Sequence, residues 1–338
     1  MLLGTLTIND ILDYSMEGKI SRIQERRGEH REPIPEIVFF FSAHRSAADF
    51  EQLRTILPQA DMYISECHGW TAENLDTMKA IADGTRQPEH LQEGRKAQRA
   101  IELEEETLFN THIPVFFCDI PAANELSTED DGTDTDTKVL NLFMDGDYAT
   151  ARDQMLVNAQ KNAAYLEKKD RWIANEIQQR IPEFIQQLPP EMQKKQKLKV
   201  VVQMGSVHTP ILHHLAPHMK TNRIGDSIMS FSNYDELVRR FRFKKEIPST
   251  LAGKALLEWS IRDTYNNELK NTPDQKITQL LRKIVSPVSE IQLQRFSVAL
   301  FQARFFDFDS DVKAAFPKVF QQIFAIDIEK EISNIHSQ

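Results

Sequence analysis

Three polar residues stand at the ends of apolar runs that are typical of buried β-strands, and together they have the chemistry needed to activate water. His44 follows the run EIVFFFSA, Glu66 ends the run DMYISE, and His208 follows the run KVVVQMGSV. Two imidazoles and a carboxylate can bind a divalent metal and leave coordination positions open for water. Without a metal, a carboxylate beside an imidazole orients the ring as a general base.

These side chains can meet only if their strands lie side by side. Short apolar runs at 36–41, 60–66, 113–121 and 198–204 alternate with helical stretches, and a further strand is predicted at 227–232. This alternation favours parallel β-α units, in which the carboxyl ends of the strands share one edge of the sheet. Ligands of open α/β sheets bind at that edge. We therefore expect the two histidines and the glutamate to converge there.

The predicted fold class is α/β, with a mainly parallel central sheet flanked by helices and a helical C-terminal extension. We assign residues 1–35 to an N-terminal arm, 36–232 to the α/β core, and 233–338 to a helical region packed on that core. An acidic segment near 122–138 interrupts the core, and we expect an exposed loop there because the segment has few apolar side chains to bury. It also lacks the glycine and the terminal glutamate of a calcium-binding EF-hand loop.

The composition argues against several classes of protein. The chain has 338 residues and a formal net charge of −9, and a protein this acidic has no general attraction for nucleic acid. Its two cysteines do not make a disulfide framework. The N-terminus lacks signal-peptide features, and no apolar stretch approaches the roughly 18 residues of a membrane span. We therefore expect a cytoplasmic protein that binds neither nucleic acid nor membranes.

Each candidate residue also has an ordinary structural explanation. A single histidine after a strand is more often a cap or a packed core residue than a ligand. Glu66 is the stronger signal, because a carboxylate in an apolar strand is costly unless it is paired. His214 and His218 lie four residues apart on the next predicted helix, but surface histidine clusters of this kind are common. The sequence contains no phosphate-binding glycine motif and no G-x-S-x-G nucleophile elbow.

The order of these motifs resembles the TraB/TIKI and erythromycin esterase/ChaN-like superfamily. The sequence FSAH ends at His44, where the family has a GxxH-type motif, and ISE ends at Glu66, where the family has an acidic strand end. The stretch KDRWIAN at 169–175 is similar to the family's (E)RDRxMAxN-like helix motif. The sequence GSVH, which ends at His208, matches the second GxxH motif, and the resemblance covers roughly 36–232.

The resemblance implies a hydrolase with a cleft built from histidine and glutamate. His44 with Glu66 would form the base or the metal site, and His208 would be a second base or a metal ligand. Asp170 and Arg171, on the helix motif, would face the same cavity, where Arg171 would stabilise an oxyanion. Members of the family include metal-dependent proteases and esterases that use a histidine-activated water. An ester or a peptide-type compound is therefore the expected substrate.

A second hypothesis is a metal-binding, ligand-binding or regulatory protein that keeps this fold without turnover. Phe41 stands where the family tends to have the first glycine, and this departure favours the second hypothesis. The helical region at 233–338 favours it too, since such a region often forms a homo-oligomer or docks a partner. A third hypothesis, a scaffold without a site, predicts that the candidate residues are scattered in space.

Overall fold

Strands and helices alternate in the first part of the structure, and helices alone follow. The computed structural model of the chain describes residues 34–42, 47–97, 99–128, 136–215, 220–224, 231–269, 272, 274–306 and 312–335. None of the helices in these ranges combines the length and the apolar character that a membrane-spanning segment requires. The predicted N-terminal arm at 1–35 lies outside the described residues, except for its last two.

The described part of the chain forms one five-stranded sheet in the order β3-β2-β4-β1-β5. The strands are β1 (Ile34–Ser42), β2 (Met62–Ser65), β3 (Val115–Phe117), β4 (Lys197–Gly205) and β5 (Lys220–Ile224). All of the paired strands run parallel to one another. The predicted α/β class with a parallel central sheet is therefore confirmed.

The central strands are apolar on both sides because helices cover both faces of the sheet. In β1, Phe39 belongs to the hydrophobic core on one face and Phe40 to the core on the other. The last residue of β1, Ser42, pairs with Gly205 at the end of β4. The carboxyl ends of these two neighbouring strands therefore reach the same edge of the sheet.

Helices make up most of the rest of the described chain. The first seven α-helices are α1 (Ala47–Ile56), α2 (Ala72–Ala82), α3 (Glu89–Gln92), α4 (Ala100–Leu108), α5 (Asp136–Met144), α6 (Tyr148–Gln186) and α7 (Pro190–Gln193). The next seven are α8 (Asn233–Arg242), α9 (Leu251–Thr264), α10 (Asn266–Leu269), α11 (Asp274–Val285), α12 (Glu290–Phe306), α13 (Val312–Phe324) and α14 (Ile328–Ile335). Short 3-10 helices span Leu57–Gln59, Glu125–Thr128 and Ser206–His213.

Three hydrophobic cores hold these elements together. One core lies between the sheet and the second half of α6, and another lies between the opposite face of the sheet and helices α1, α2 and α4. The third core contains no strand and joins α5 and the first half of α6 to the helices from α8 onward. Helix α5 and the start of α6 fall within the predicted core range 36–232, yet their apolar side chains pack with the C-terminal helices.

The 39-residue helix α6 takes part in two of these cores. Met155 and Ala159 pack in the helical core, whereas Ile173 and Ile177 pack against the sheet. Polar residues at 167–170 lie between these two apolar segments, and the last two of them are buried. The junction of the two cores therefore places charged side chains of α6 inside the protein.

One part of the sequence differs from the prediction, and another can be compared with it only at two residues. The acidic segment near 122–138 is not a continuous loop, because it contains the 3-10 helix Glu125–Thr128 and the start of α5 at Asp136; residues 129–135 lie outside the described part. The predicted strand at 227–232 lies mostly outside it as well, and residues 231–232 are not in a strand. A strand that was not predicted, β5, pairs with β1 and consists mostly of polar residues, so it gives no apolar signal in the sequence.

Candidate functional site

Glu66 lies at the carboxyl edge of the sheet, where it follows β2 and is hydrogen-bonded to β4. It directly follows β2, and its backbone N–H donates to the carbonyl oxygen of Gln203 at 3.2 Å. Its carboxylate Oε2 accepts a hydrogen bond from the backbone N–H of Gly205 at 2.6 Å. The glutamate therefore bridges the ends of β2 and β4, which are neighbours in the sheet.

His208 is in direct contact with Glu66. It lies in the 3-10 helix that follows β4, and its Nε2 is 3.0 Å from Oε1 of Glu66. Its Nδ1 contacts Oδ1 of Asp170, which projects from α6. Both carboxylates and the imidazole are buried or nearly so, and both ring nitrogens have a carboxylate partner.

These contacts favour the charged form of the His208 ring. Burial and the positive charge of Lys169 lower the pKa of His208. The negative charge of Glu66 and the hydrogen bonds to Asp170 and Glu66 outweigh them and raise the pKa to about 9. This shift favours an imidazolium at neutral pH, in which each N–H group would donate to the carboxylate that it contacts.

Lys169 adds a second buried cation to the site. Its Nζ is 3.0 Å from Oε1 of Glu66 and 3.1 Å from Oδ2 of Asp119, a residue that follows β3. Burial lowers the pKa of Lys169, but the two carboxylates outweigh it and raise the pKa above its usual value. Burial raises the pKa of Asp119, against the lowering effect of Lys169. Oδ1 of Asp119 accepts the backbone N–H of Ile120 at 2.7 Å.

Arg242 is the residue of the site that comes from the helical region. It is the last residue of α8, its Nη2 donates to Oδ2 of Asp170, and its Nη1 donates to the carbonyl oxygen of Val207 at 2.8 Å. Its side chain is 2% exposed. Three carboxylates and three cations thus form one buried group, the strand-end network, whose members are Glu66, Asp119, Lys169, Asp170, His208 and Arg242.

A small cavity lies against the network. Its volume of about 10 Å³ suits roughly one water molecule. Ser65 and Gln203 line it together with Glu66 and Asp119, and the buried Oγ of Ser65 has no hydrogen-bond partner in the described part of the chain. The lining also includes Ile64, Ile173, Val202 and Met204, and most of its surface is apolar.

Two further residues were predicted for the site, His44 and Arg171. His44 falls outside the described residues, so its part in the site stays a prediction. Arg171 does not join the strand-end network, because its side chain is 66% exposed and pairs with Glu167 at 3.0 Å. The arginine that reaches the buried carboxylates is Arg242. His214 lies at the margin of the site, with its Nε2 3.4 Å from the same Glu167.

In the described residues, Glu66 and His208 contact other charged side chains at the place of the predicted divalent metal site, whose third predicted ligand, His44, lies outside those residues. A histidine ligand must present a neutral nitrogen to the metal, whereas both nitrogens of His208 face carboxylates. The ammonium of Lys169 already stands between Glu66 and Asp119. In the ranges that the structure describes, no group of three or more metal-ligating side chains is placed to hold an ion.

The charged state of His208 leads to a prediction about stability. Its pKa rises from the ordinary histidine value of 6.5 to about 9 in the folded protein, so the folded state binds the proton more tightly than the unfolded chain does. The stabilisation is complete below pH 6.5 and is lost as the pH rises through about 9. At about 1.4 kcal/mol for each pKa unit, we expect the free energy of unfolding to fall by about 3 kcal/mol over this range.

Urea denaturation at a series of pH values measures this fall. The His208→Gln variant is the control, since glutamine has a similar length and does not titrate. We expect the pH dependence between neutral and alkaline solution to be much smaller in the variant. The same dependence in both proteins would show that another group causes it.

Comparisons of this chain with protein-family models, with curated proteins and with solved structures find no match. The resemblance to the TraB/TIKI and erythromycin esterase/ChaN-like superfamily therefore stays a prediction from the motifs. The geometry of the strand-end network is the evidence on which a function can be argued.

Proposed function

We propose that this protein is a hydrolase that activates water beside the strand-end network and acts on an ester or peptide-type substrate. The observation that carries the proposal is the burial of six charged side chains at the carboxyl edge of a parallel sheet. Packing alone does not require such a group, because a protein is often equally stable when apolar residues of similar volume replace a buried ion pair. Buried charges with shifted pKa values are concentrated at catalytic sites.

The proposed role of His208 is that of a general acid. An imidazolium held between Glu66 and Asp170 can donate a proton to the leaving group or stabilise negative charge on the substrate. This differs from the role of second base that the sequence suggested for it. The base that removes a proton from water would be His44, on the evidence of the motif alone. Arg171 has no role in this proposal, because its side chain points to solvent.

We further propose that the reaction does not use a metal, because Lys169 supplies the positive charge between Glu66 and Asp119. Dialysis of the purified protein against EDTA should leave its activity and its melting temperature unchanged. Elemental analysis should find less than one divalent ion for each chain. A loss of activity on dialysis, restored by added Zn²⁺ or Mn²⁺, would contradict this proposal and support the metal site.

A panel of activated esters and short peptides tests the hydrolase proposal. We expect turnover of at least one class by the wild-type protein and loss of that turnover in the Glu66→Gln variant. Glutamine keeps the shape of the side chain but leaves Lys169 and His208 without their shared carboxylate. Hydrolysis by the variant at the wild-type rate, or none by a folded wild-type protein, would contradict the proposal.

A binding or regulatory protein without turnover is the alternative function. The observation that favours it is the complete pairing of His208, whose two nitrogens are both engaged by carboxylates. Binding of a small molecule or a peptide that is released unchanged would support it. For this function a homo-oligomer formed through the C-terminal helices is also proposed, since Ile291 and Val298 of α12 are 63% and 40% exposed. Cytoplasmic location is part of both proposals.

A further inference from the structure

We infer that the C-terminal helical region completes the proposed site by supplying Arg242 as a positioning residue. This inference rests on the proposed function, and it concerns a residue that lies outside the segment that carries the family resemblance. Helix α8 packs in the helical core through Leu237 and Val238, whereas Arg242 at its end enters the strand-end network. One helix therefore joins the third core to the edge of the sheet.

Arg242 holds the surroundings of His208 at two points. Its Nη2 donates to Oδ2 of Asp170, while the other oxygen of this carboxylate contacts Nδ1 of His208. Its Nη1 donates to the carbonyl oxygen of Val207, the residue directly before the histidine. The planar guanidinium therefore fixes the carboxylate that orients the ring and the backbone that carries it. A lysine ammonium lacks this fixed fork of donors.

The start of α8 is held as firmly as its end. The side-chain Nδ2 and the backbone N–H of Asn233 donate to the two oxygens of Glu258, at 2.7 and 2.6 Å. Nη1 of Arg282 donates to the side-chain oxygen of Asn233 at 2.6 Å. Ser232 caps the helix by accepting the backbone N–H of Asp235 at 3.1 Å. Helix α8 is therefore fixed in the helical core before it reaches the site.

The burial of Arg242 shows that this contact is not a surface ion pair. Its side chain is 2% exposed, and its Nε has no hydrogen-bond partner in the described part of the chain. The guanidinium is therefore desolvated, with Asp170, the Val207 carbonyl and, at 3.6 Å, Glu167 as its partners. Removing it leaves Asp170 buried next to a vacant space lined by the Val207 carbonyl. Such a space can bind free guanidinium, which restores both hydrogen bonds.

Chemical rescue of the Arg242→Ala variant tests the inference. We expect kcat to fall by about a hundredfold with little change in KM, because the loss affects orientation rather than substrate binding. Millimolar guanidinium should restore much of the rate, whereas ammonium at the same concentration should not. The control is Arg240→Ala on the same helix, where the arginine pairs with Glu236 at 2.8 Å and lies outside the network. It should keep the wild-type rate and show no rescue.

Two readouts do not depend on activity. In proton NMR, the Nδ1–H signal of His208 should be lost or exchange rapidly with water in Arg242→Ala, and guanidinium should restore it. Guanidinium should also raise the melting temperature of this variant but not that of Arg240→Ala. If these effects occur in a chain that hydrolyses no substrate, the proposed function fails but the positioning of His208 by Arg242 stands.

The Arg242→Lys variant keeps the test open if the alanine variant does not fold. It retains the positive charge near Asp170 but cannot span both acceptors. We expect a reduced kcat and an altered Nδ1–H signal in this variant. Wild-type kcat with an unchanged signal in Arg242→Lys, or equal rescue of Arg242→Ala by ammonium and guanidinium, would overturn the inference.

Discussion

The His208→Ala variant is expected to lose turnover by about a hundredfold or more, which is typical of the removal of an acid–base residue. The imidazolium of His208 contacts both Glu66 and Asp170. In the described part of the network, no other proton donor lies between these two carboxylates. The loss should appear in kcat, measured on folded protein with the best substrate of the ester and peptide panel.

His214→Ala is the matched control for this variant. His214 lies six residues further along the chain, directly after the same 3-10 helix, but it contacts Glu167 at the margin of the site and not the buried carboxylates. Its replacement should change turnover only slightly, through any effect on stability. Equal losses at the two positions, or a fully active His208→Ala protein, would show that the role of His208 has been misread.

The Lys169→Met variant is expected to lower the free energy of unfolding by about 3–5 kcal/mol, the range for breaking a buried ion pair by removing one partner. Methionine keeps an unbranched apolar chain of similar length but removes the ammonium from between Glu66 and Asp119. These two carboxylates then face each other without a shared cation, in a site from which water is largely excluded. Urea denaturation at neutral pH measures the loss.

Lys168→Met separates this effect from a general effect of changing the helix. Lys168 is the preceding residue of α6 and is exposed. Its replacement should change the free energy of unfolding by about 0.5 kcal/mol or less, as for most surface substitutions. A loss of similar size in the two variants would contradict the account of Lys169 as the cation that neutralises the network.

The sequence predicts the sheet well because burial on both faces leaves an apolar run in each central strand. The same signal is absent from β5, where four of the five residues at Lys220–Ile224 are polar. Glu66 is predictable because a carboxylate at the end of an apolar strand requires a partner. Asp119 carries the same signal, but the apolar run at 113–121 suggests a longer strand than β3. The run therefore places Asp119 within the predicted strand, and its place after the strand end is not recognised from the sequence.

The geometry of α6 explains why one residue of its motif lies in the network and its neighbour does not. Successive residues of an α-helix point about 100° apart. Lys169 and Asp170 lie four and three residues before Ile173 and so share its side of the helix, whereas Arg171 lies two residues before it, on the opposite side. Asp170 shares its face with Ile173 and Ile177, which are buried against the sheet, and it enters the network. Arg171 is directed to solvent by the same rotation. The helical spacing of the apolar residues therefore indicates which side chains face the sheet better than the family motif does.

Arg242 could not be predicted from a local pattern. It meets Asp170 across 72 residues of sequence, and the contact exists only because α8 packs beside α6 in the helical core. Its neighbours at the end of α8 are also basic, so residue type does not single it out. A contact of this kind depends on how two helices pack, and this information is not contained in either segment alone.

Nitrogen NMR of the His208 ring tests the central claim most directly, namely that the strand-end network holds a charged imidazolium as its acid. In protein with ¹⁵N-labelled histidine, the His208→Gln variant identifies the signals of this ring. The account predicts that both ring nitrogens carry a proton at neutral pH and that the ring titrates with a pKa of about 9. A neutral ring at pH 7, with one unprotonated nitrogen and a pKa at or below 6.5, would contradict it.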